Sequence, residues 1–242
     1  SEPRIREARL AAPLPGSGPL EIEFDDVVVA GALAHIHLHA APGEHVLVTG
    51  PTGSGKSSLL ALAARMRDPD GGEVRLDGIP ITRVELDALH AAVQLVSAEL
   101  PLLRGTVVEN IRYAMPEDDV EWLARVVEVC GLANDPSLES GLETRVEEQG
   151  RNLSQGLRQR ILLARAIAIR PRLLLIDEPG LLVDPVSRAA LEQAIELVGA
   201  TVLVVGNGGG SALRIDRIWQ MPEGRAESPN EPSNVVTGIR WK

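Results

Sequence analysis

Residues 50–58 read GPTGSGKSS and fit the spacing G-x-x-x-x-G-K-[ST] at Gly50, Gly55, Lys56 and Ser57. Such a loop wraps a polyphosphate with its backbone N–H groups, its lysine reaches the outer phosphates, and its hydroxyl ligates Mg²⁺. The candidate binding residues are Gly50, Pro51, Thr52, Gly53, Ser54, Gly55, Lys56, Ser57 and Ser58. A second stretch, LLLIDEP, is an apolar run that ends in acids. Asp177 at its end is placed to hold the Mg²⁺ shell together with Ser57, and Glu178 to polarise an attacking water. A plain glycine turn would give no reason for a Lys-Ser pair at that point. Together the two motifs imply a nucleoside triphosphate and Mg²⁺.

A second anion site is written at residues 151–160, RNLSQGLRQR. Ser154, Gln155 and Gly156 lead directly into RILLARAIAI, which reads as a helix. A helix N-terminus with a hydroxyl beside it favours a phosphate. A chain with two such sites raises the question of whose phosphate the second one holds.

These residues need an α/β scaffold. LEIEFDDVVV alternates like an edge strand, and HIHLHAAPGEHVLVTG reads as two strands around a Pro-Gly turn. The second of these runs into the glycine loop, and KSSLLALAARM follows as a helix. DPDGGEVRLDGIPI carries hairpin chemistry. RLLLIDEP and TVLVVG read as buried parallel strands, and SRAALEQAIELV as a helix. Strands alternating with helices predict a largely parallel sheet, with a helical insertion at about residues 85–160. Residues 1–20 read as a linker, and the Pro/Asn-rich residues 226–242 as a flexible tail.

Composition narrows the class. The chain has 242 residues, 44% apolar but only 2% aromatic, so its core must be built from Leu, Val, Ile and Ala. A net charge of −10 lacks the positive field that holds nucleic acid. The single cysteine, Cys130, excludes an intramolecular disulfide and reads as a buried helix residue. His35, His37 and His39 share one face of a strand, and alternation with Ile36 and Leu38 places them on the exposed face rather than around a metal. Trp122 and Trp219 read as core or interface residues. No apolar run approaches the ~18 residues of a membrane span, and no signal peptide is read. With Ser1 in place of methionine, the stretch is expected to be cut from a longer polypeptide.

NLSQGLRQRILLARAI followed by RPRLLLIDEP resembles the signature loop and Walker B strand of ABC transporter nucleotide-binding domains. The resemblance runs from about Glu21 to Arg225 and includes DPDGGEVRLDG, LRGTVVENI and LETRVEEQGRNLS. SEPRIREARL is similar to the junction that follows the last membrane helix in the exporter-type branch. The resemblance implies a P-loop ATPase (RecA-like) core with an antiparallel β subdomain and an inserted helical subdomain. It implies ATP and Mg²⁺ as cofactors, a transmembrane domain fused upstream, and a place on the cytoplasmic face of a membrane. It also implies a second nucleotide-binding domain packed head to tail, whose γ-phosphate Ser154, Gln155 and Gly156 would hold.

The departures from that pattern are specific. The family's LSGGQ is LSQGL here, so Gln155 replaces a glycine and Leu157 a glutamine. The switch histidine is replaced by Asn207, and no histidine follows residue 90. The glutamine that links Mg²⁺ to the coupling region is replaced by Ala98, with Gln94 too early, inside the strand. Gly31 stands near the place of the adenine-stacking aromatic, and the D-loop keeps Asp184. An imidazolium lost near a γ-phosphate removes charge from a reaction stabilised by electrostatics. The expected function is a degenerate, slowly hydrolysing half of a heterodimeric exporter, with Glu178 still present. The alternatives are a silent regulatory module, or a soluble ABC ATPase, which the acidic charge disfavours.

Overall fold

The computed structural model describes residues 13–113, 115, 119–177, 184–206 and 213–222, and the backbone of 239–240. Two sheets carry the domain. The first is antiparallel, built from β1 (Ile22–Val29), β2 (Leu33–Ala40), β4 (Gly71–Leu76) and β5 (Ile79–Pro80), in the order β2-β1-β4-β5. The second has the order β12-β11-β3-β10-β9-β6. Its strands are β3 (His45–Thr49), β6 (Val93–Ser97), β9 (Leu173–Asp177), β10 (Thr201–Val205), β11 (Arg217–Gln220) and β12 (Ile239–Arg240). All neighbours in it run parallel except β12.

β1 is not the edge strand its alternation predicts. It pairs with β2 on one side and β4 on the other. Alternation reports burial of one face, and a central strand of a one-sided antiparallel sheet has that too. The parity also switches along the strand: Ile22 and Phe24 are buried, then Val27 and Val29. A bulge between Phe24 and Val27 makes the switch, with Asp26 at φ 51.

The central parallel strands β3, β9 and β10 are buried on both faces, and residue parity assigns each side chain to one of two cores. Val46, Val48, Leu173, Leu175, Leu203 and Val205 face the antiparallel sheet and α1 (Lys56–Ala63). Leu47, Leu174, Ile176, Val202 and Val204 face α5 (Gln155–Ala168) and α6 (Pro185–Val198). An aromatic pair in the first core joins the two sheets: Phe24 meets Trp219 edge-on at 6.1 Å.

The helical insertion holds α3 (Val107–Arg112), α4 (Val120–Val129) and α5, with a two-strand clip of β7 (Gly105–Thr106) and β8 (Arg145–Val146). It starts later than residue 85, because α2 (Leu86–Ala92) leads into β6, a strand of the parallel sheet. Asp119 caps α4 by accepting the Trp122 amide, and Trp122 donates its indole N–H to the Ala168 carbonyl at 2.8 Å. Arg170 stacks over the Trp122 ring at 4.5 Å. Cys130, at the C-terminal end of α4, is fully buried.

The described ends of the predicted linker and tail are better anchored than their composition implies. Ahead of β1, the Leu20 amide donates to the Arg172 carbonyl, Thr201 Oγ1 donates to the Leu20 carbonyl, and Arg172 Nε donates to the Gly18 carbonyl. Arg172 also pairs with Asp77 at 3.0 Å, and Asp77 accepts the Glu21 amide. Near the C-terminus, Ile239–Arg240 pairs antiparallel with β11, so this part of the stretch read as a flexible tail is a strand. Among the described residues no helix is long and apolar enough to cross a membrane.

Trp219→Ala removes the ring that joins the two sheets. We expect it to destabilise the fold by about 3–5 kcal/mol. The readout is a lower urea midpoint at unchanged slope.

Candidate functional site

β3 ends at Thr49, and the loop Gly50–Gly55 carries the chain into α1. Three glycines make this turn possible with positive φ: Gly50 at 149°, Gly53 at 85° and Gly55 at 90°. Two of them are also pressed by neighbours. A Cβ on Gly50 would lie 2.8 Å from Ser54 Oγ and 2.9 Å from the Met221 carbonyl oxygen. A Cβ on Gly55 would lie 2.6 Å from the Ala32 carbonyl oxygen and inside the Leu33 side chain. Around Gly53 there is open space. Pro51, Thr52 and Gly53 are exposed, and Ser54 is buried.

Gly55 caps α1 through its backbone alone, with no side chain on the first-turn amides. That end of the helix is thus presented to an anion by geometry and by dipole. Lys56 is nearly buried, and its ammonium donates to the carbonyls of Gly50 and Pro51 at 2.7 Å each. Ser57 Oγ lies 3.3 Å from Asp177 Oδ1, so the hydroxyl after the lysine and the acid at the end of β9 meet. A hydroxyl and a carboxylate are hard oxygen donors that suit Mg²⁺, which keeps several waters and takes few protein ligands. Ser58 is half-buried in α1. Glu178 and Asn207 lie outside the described residues.

The second strand edge of this site is β6. Ser97 is the ladder partner of Asp177, so Ala98 follows directly beside the acid, exposed in a turn. Its methyl group can neither ligate nor hydrogen-bond. Gln94 does not substitute for it: its amide nitrogen donates back to the carbonyls of His90 and Val93. Gly31 lies in the exposed β1–β2 turn, and Phe24 is buried against Trp219. The turn Ala30–Ala32 therefore offers no ring for a base to stack on.

Ser154 is the N-cap of α5, and its Oγ accepts the Leu157 amide at 3.2 Å. Ser154 and Gln155 are exposed. Gly156 has a structural reason that spacing did not reveal: a Cβ there would meet Asp184 Oδ2 at 3.0 Å and Ser187 Oγ at 3.3 Å. Leu157 is buried among the helices as an apolar anchor. Arg160, also on α5, is buried with Asp135 and donates to the Gly131 carbonyl at 2.6 Å. Neither contact left a signal in the sequence, because each joins elements distant along the chain.

Asp184 caps α6 by accepting the Ser187 amide at 2.9 Å. Burial works to raise its carboxyl, but the bonds with Ser187 and the Val186 amide, and the charge of Arg160, hold it below the ordinary range. Cys130 is shifted the other way: burial pushes its thiol far above the ordinary value, partly opposed by Arg160. It is an inert packing residue. His35, His37 and His39 are exposed, as alternation predicts, and each faces a carboxylate of β1 or its flank. Among the described residues no His, Cys, Asp or Glu group is arranged to hold a metal by itself.

Two outcomes follow. Gly55→Ala forces a side chain into positive φ against Ala32, a strain of about 1–2 kcal/mol, and should weaken binding of a fluorescent ATP analogue about tenfold or more. Equal affinities in an equilibrium titration would remove Gly55 from the site. Asp184 has a lowered carboxyl, so its cap adds stability above the unfolded value and loses it as pH falls through the folded one. Asp184→Asn keeps an acceptor without a titration. Its melting temperature should fall less than the parent's between about pH 5 and about pH 3.

Comparison with known proteins agrees with this geometry. Residues 33–180 match the family described as ABC transporter. The chain is 35% identical over 242 residues to the ATP-dependent lipid A-core flippase of Cupriavidus metallidurans, covering 93% of this chain and 41% of that protein. It is 33% identical to the multidrug efflux ATP-binding/permease protein of Mycobacterium bovis, covering 97% of this chain and 20% of the relative. It thus spans less than half the length of these relatives. A solved bacterial Atm1-family ABC exporter with ATP bound superposes with a TM-score of 0.82 at 26% identity, over 93% of this chain and 41% of that one. The phosphate loop, the acid-ended strand beside it and the family match across more than half of the sequence lead to one assignment: this chain belongs to the ABC transporter family.

Proposed function

We propose that this chain is the ATP-binding part of an exporter-type transporter and supplies the slow half of a heterodimer. Lys56 and the loop Gly50–Ser58 bind the triphosphate of ATP, and Ser57 with Asp177 holds Mg²⁺. Bound there, Mg²⁺ would supply positive charge against the phosphate oxygens. Glu178 orients the attacking water. Ser154, Gln155 and Gly156 cap the nucleotide of a second domain. Closure of the pair drives membrane helices fused upstream, on the cytoplasmic face, and those helices choose the cargo.

The observation that carries the reading is the contact between Ser57 and Asp177 beside a bare Ala98. A hydroxyl and a carboxylate of the kind that suits Mg²⁺ stand 3.3 Å apart, while Ala98 next to them has no side-chain group that could ligate or hydrogen-bond. The loss of a histidine at Asn207 points the same way, since an amide carries no positive charge. Binding is therefore retained more fully than turnover.

ATP turnover of the whole transporter, wild type against Glu178→Gln, tests this. Turnover should stay nearly intact, while the equivalent change in the partner domain lowers it on the order of 10²-fold or more. If Glu178→Gln alone removes most turnover, this site is a working one and the slow-half reading is wrong.

A further inference from the structure

A triphosphate and a base make separate demands on a site. Phosphates ask for N–H groups and a cation. Bases ask for a flat partner, or for donors and acceptors aimed at the ring edge. The loop Gly50–Ser58 meets the first demand. Its metal end is Ser57 with Asp177, at the end of β9. A triphosphate held there by its outer phosphates carries its nucleoside past the opposite flank of the loop. On that flank the β1–β2 turn packs on Gly55 with Ala32 and Leu33.

Among the described residues, nothing at that turn meets the second demand. Ala30, Gly31 and Ala32 carry no ring, and a Cβ on Gly31 would meet nothing within 4 Å. The amides of Ala30 and Ala32 are already taken, by Asp70 Oδ2 at 2.7 Å and by the Val29 carbonyl at 2.9 Å. Asp70 in turn engages Arg67 at 3.6 Å. His35, the first ring along β2, is turned onto Asp26 at 2.8 Å. The chain has one Phe, one Tyr and three Trp, and Trp241 lies outside the described residues. Phe24 and Trp219 are buried on each other. Tyr113 closes α3, and Trp122 lies on α4 under Arg170. Those two helices pack into the core on the other face of the parallel sheet from β1 and β2.

Stacking of a base on an aromatic ring raises affinity on the order of tenfold or more. The groups that hold a ligand here are the loop amides, the end of α1 and Lys56, and all of them are blind to the base. We propose that this chain's nucleotide site reads the triphosphate and not the base. It takes any nucleoside triphosphate, and inorganic triphosphate is the smallest ligand of the class. This rests on the reading of the loop Gly50–Ser58 as a triphosphate site.

The test uses the intact transporter, with the change equivalent to Lys56→Ala made in the partner domain so that binding reports on this chain. A ribose-labelled fluorescent ATP with Mg²⁺ is displaced by ATP, GTP, CTP, UTP and inorganic triphosphate. The four nucleotides should displace it within about fivefold of one another, and inorganic triphosphate within about tenfold of ATP. A wider spread among the nucleotides overturns the proposal, and so does inorganic triphosphate weaker than that limit. Ala30→Tyr and Gly31→Tyr, both at exposed positions, each put a ring on the turn. At least one of them should make ATP and GTP displace the label better than UTP does. If neither separates purines from pyrimidines, the nucleoside does not pass this turn and the proposal is wrong. A label that fails to bind the parent at all removes the phosphate-loop reading itself, and the proposal falls with it.

Discussion

Burial of the parallel strands on both faces is the constraint from which the rest of this domain follows. A strand such as Leu173–Asp177 has no polar face, so both sides of the sheet must be covered. The antiparallel sheet and α1 cover one, α5 and α6 the other. Two separate cores result, divided by the parity of residues within five-residue strands. Because β3, β9 and β6 run parallel, their carboxyl ends lie together, and the phosphate loop, Asp177 and Ala98 are delivered to one edge. No side chain of the site needs to be steered there individually.

Several candidate site positions are places where one element presses on the backbone of another. Gly55 is closed in by the β1–β2 turn, Gly50 by Met221 after β11, and Gly156 by the cap of α6. The phosphate loop is therefore in contact with both sheets, and the signature turn with the helix that follows the D-loop. Lys56 adds a further tie, since its ammonium is held by the two carbonyls that open the loop. Arrival of a phosphate is then an exchange of partners by a charge already paired, and the gain is smaller than the new contact alone would give.

Much of this was legible in the sequence because it is local. The glycine spacing, the hairpin at residues 71–80, the buried runs and the exposed histidines are patterns of neighbouring residues. What was not legible depends on elements meeting across the chain. The place of β1 at the centre of its sheet is invisible to alternation, and its parity switch hides in Asp25-Asp26. β6 falls inside the stretch expected to be mostly helical, although Gln94 reads as part of a strand, and its place in the parallel sheet depends on pairing with β9. Gly156 could be read as a phosphate contact but not as a glycine packed closely on Asp184, since that contact joins α5 to α6. Ile239–Arg240 has no strand signature, only a partner. Glu178 and Asn207, on which the degenerate reading turns, lie outside the described residues.

The knot around Arg172 bears on modularity. Leu20 and Gly18 are hydrogen-bonded to a residue at the start of β9 and to Thr201 at the start of β10. Residues 18–20, ahead of the first strand, therefore belong to the folding unit. A boundary drawn at Glu21, where the regular pattern begins, would leave the Arg172 and Thr201 groups facing water in place of protein. The exchangeable unit of this architecture begins at about Gly18, and recombination or engineering that grafts the domain elsewhere inherits that short leader as part of its core.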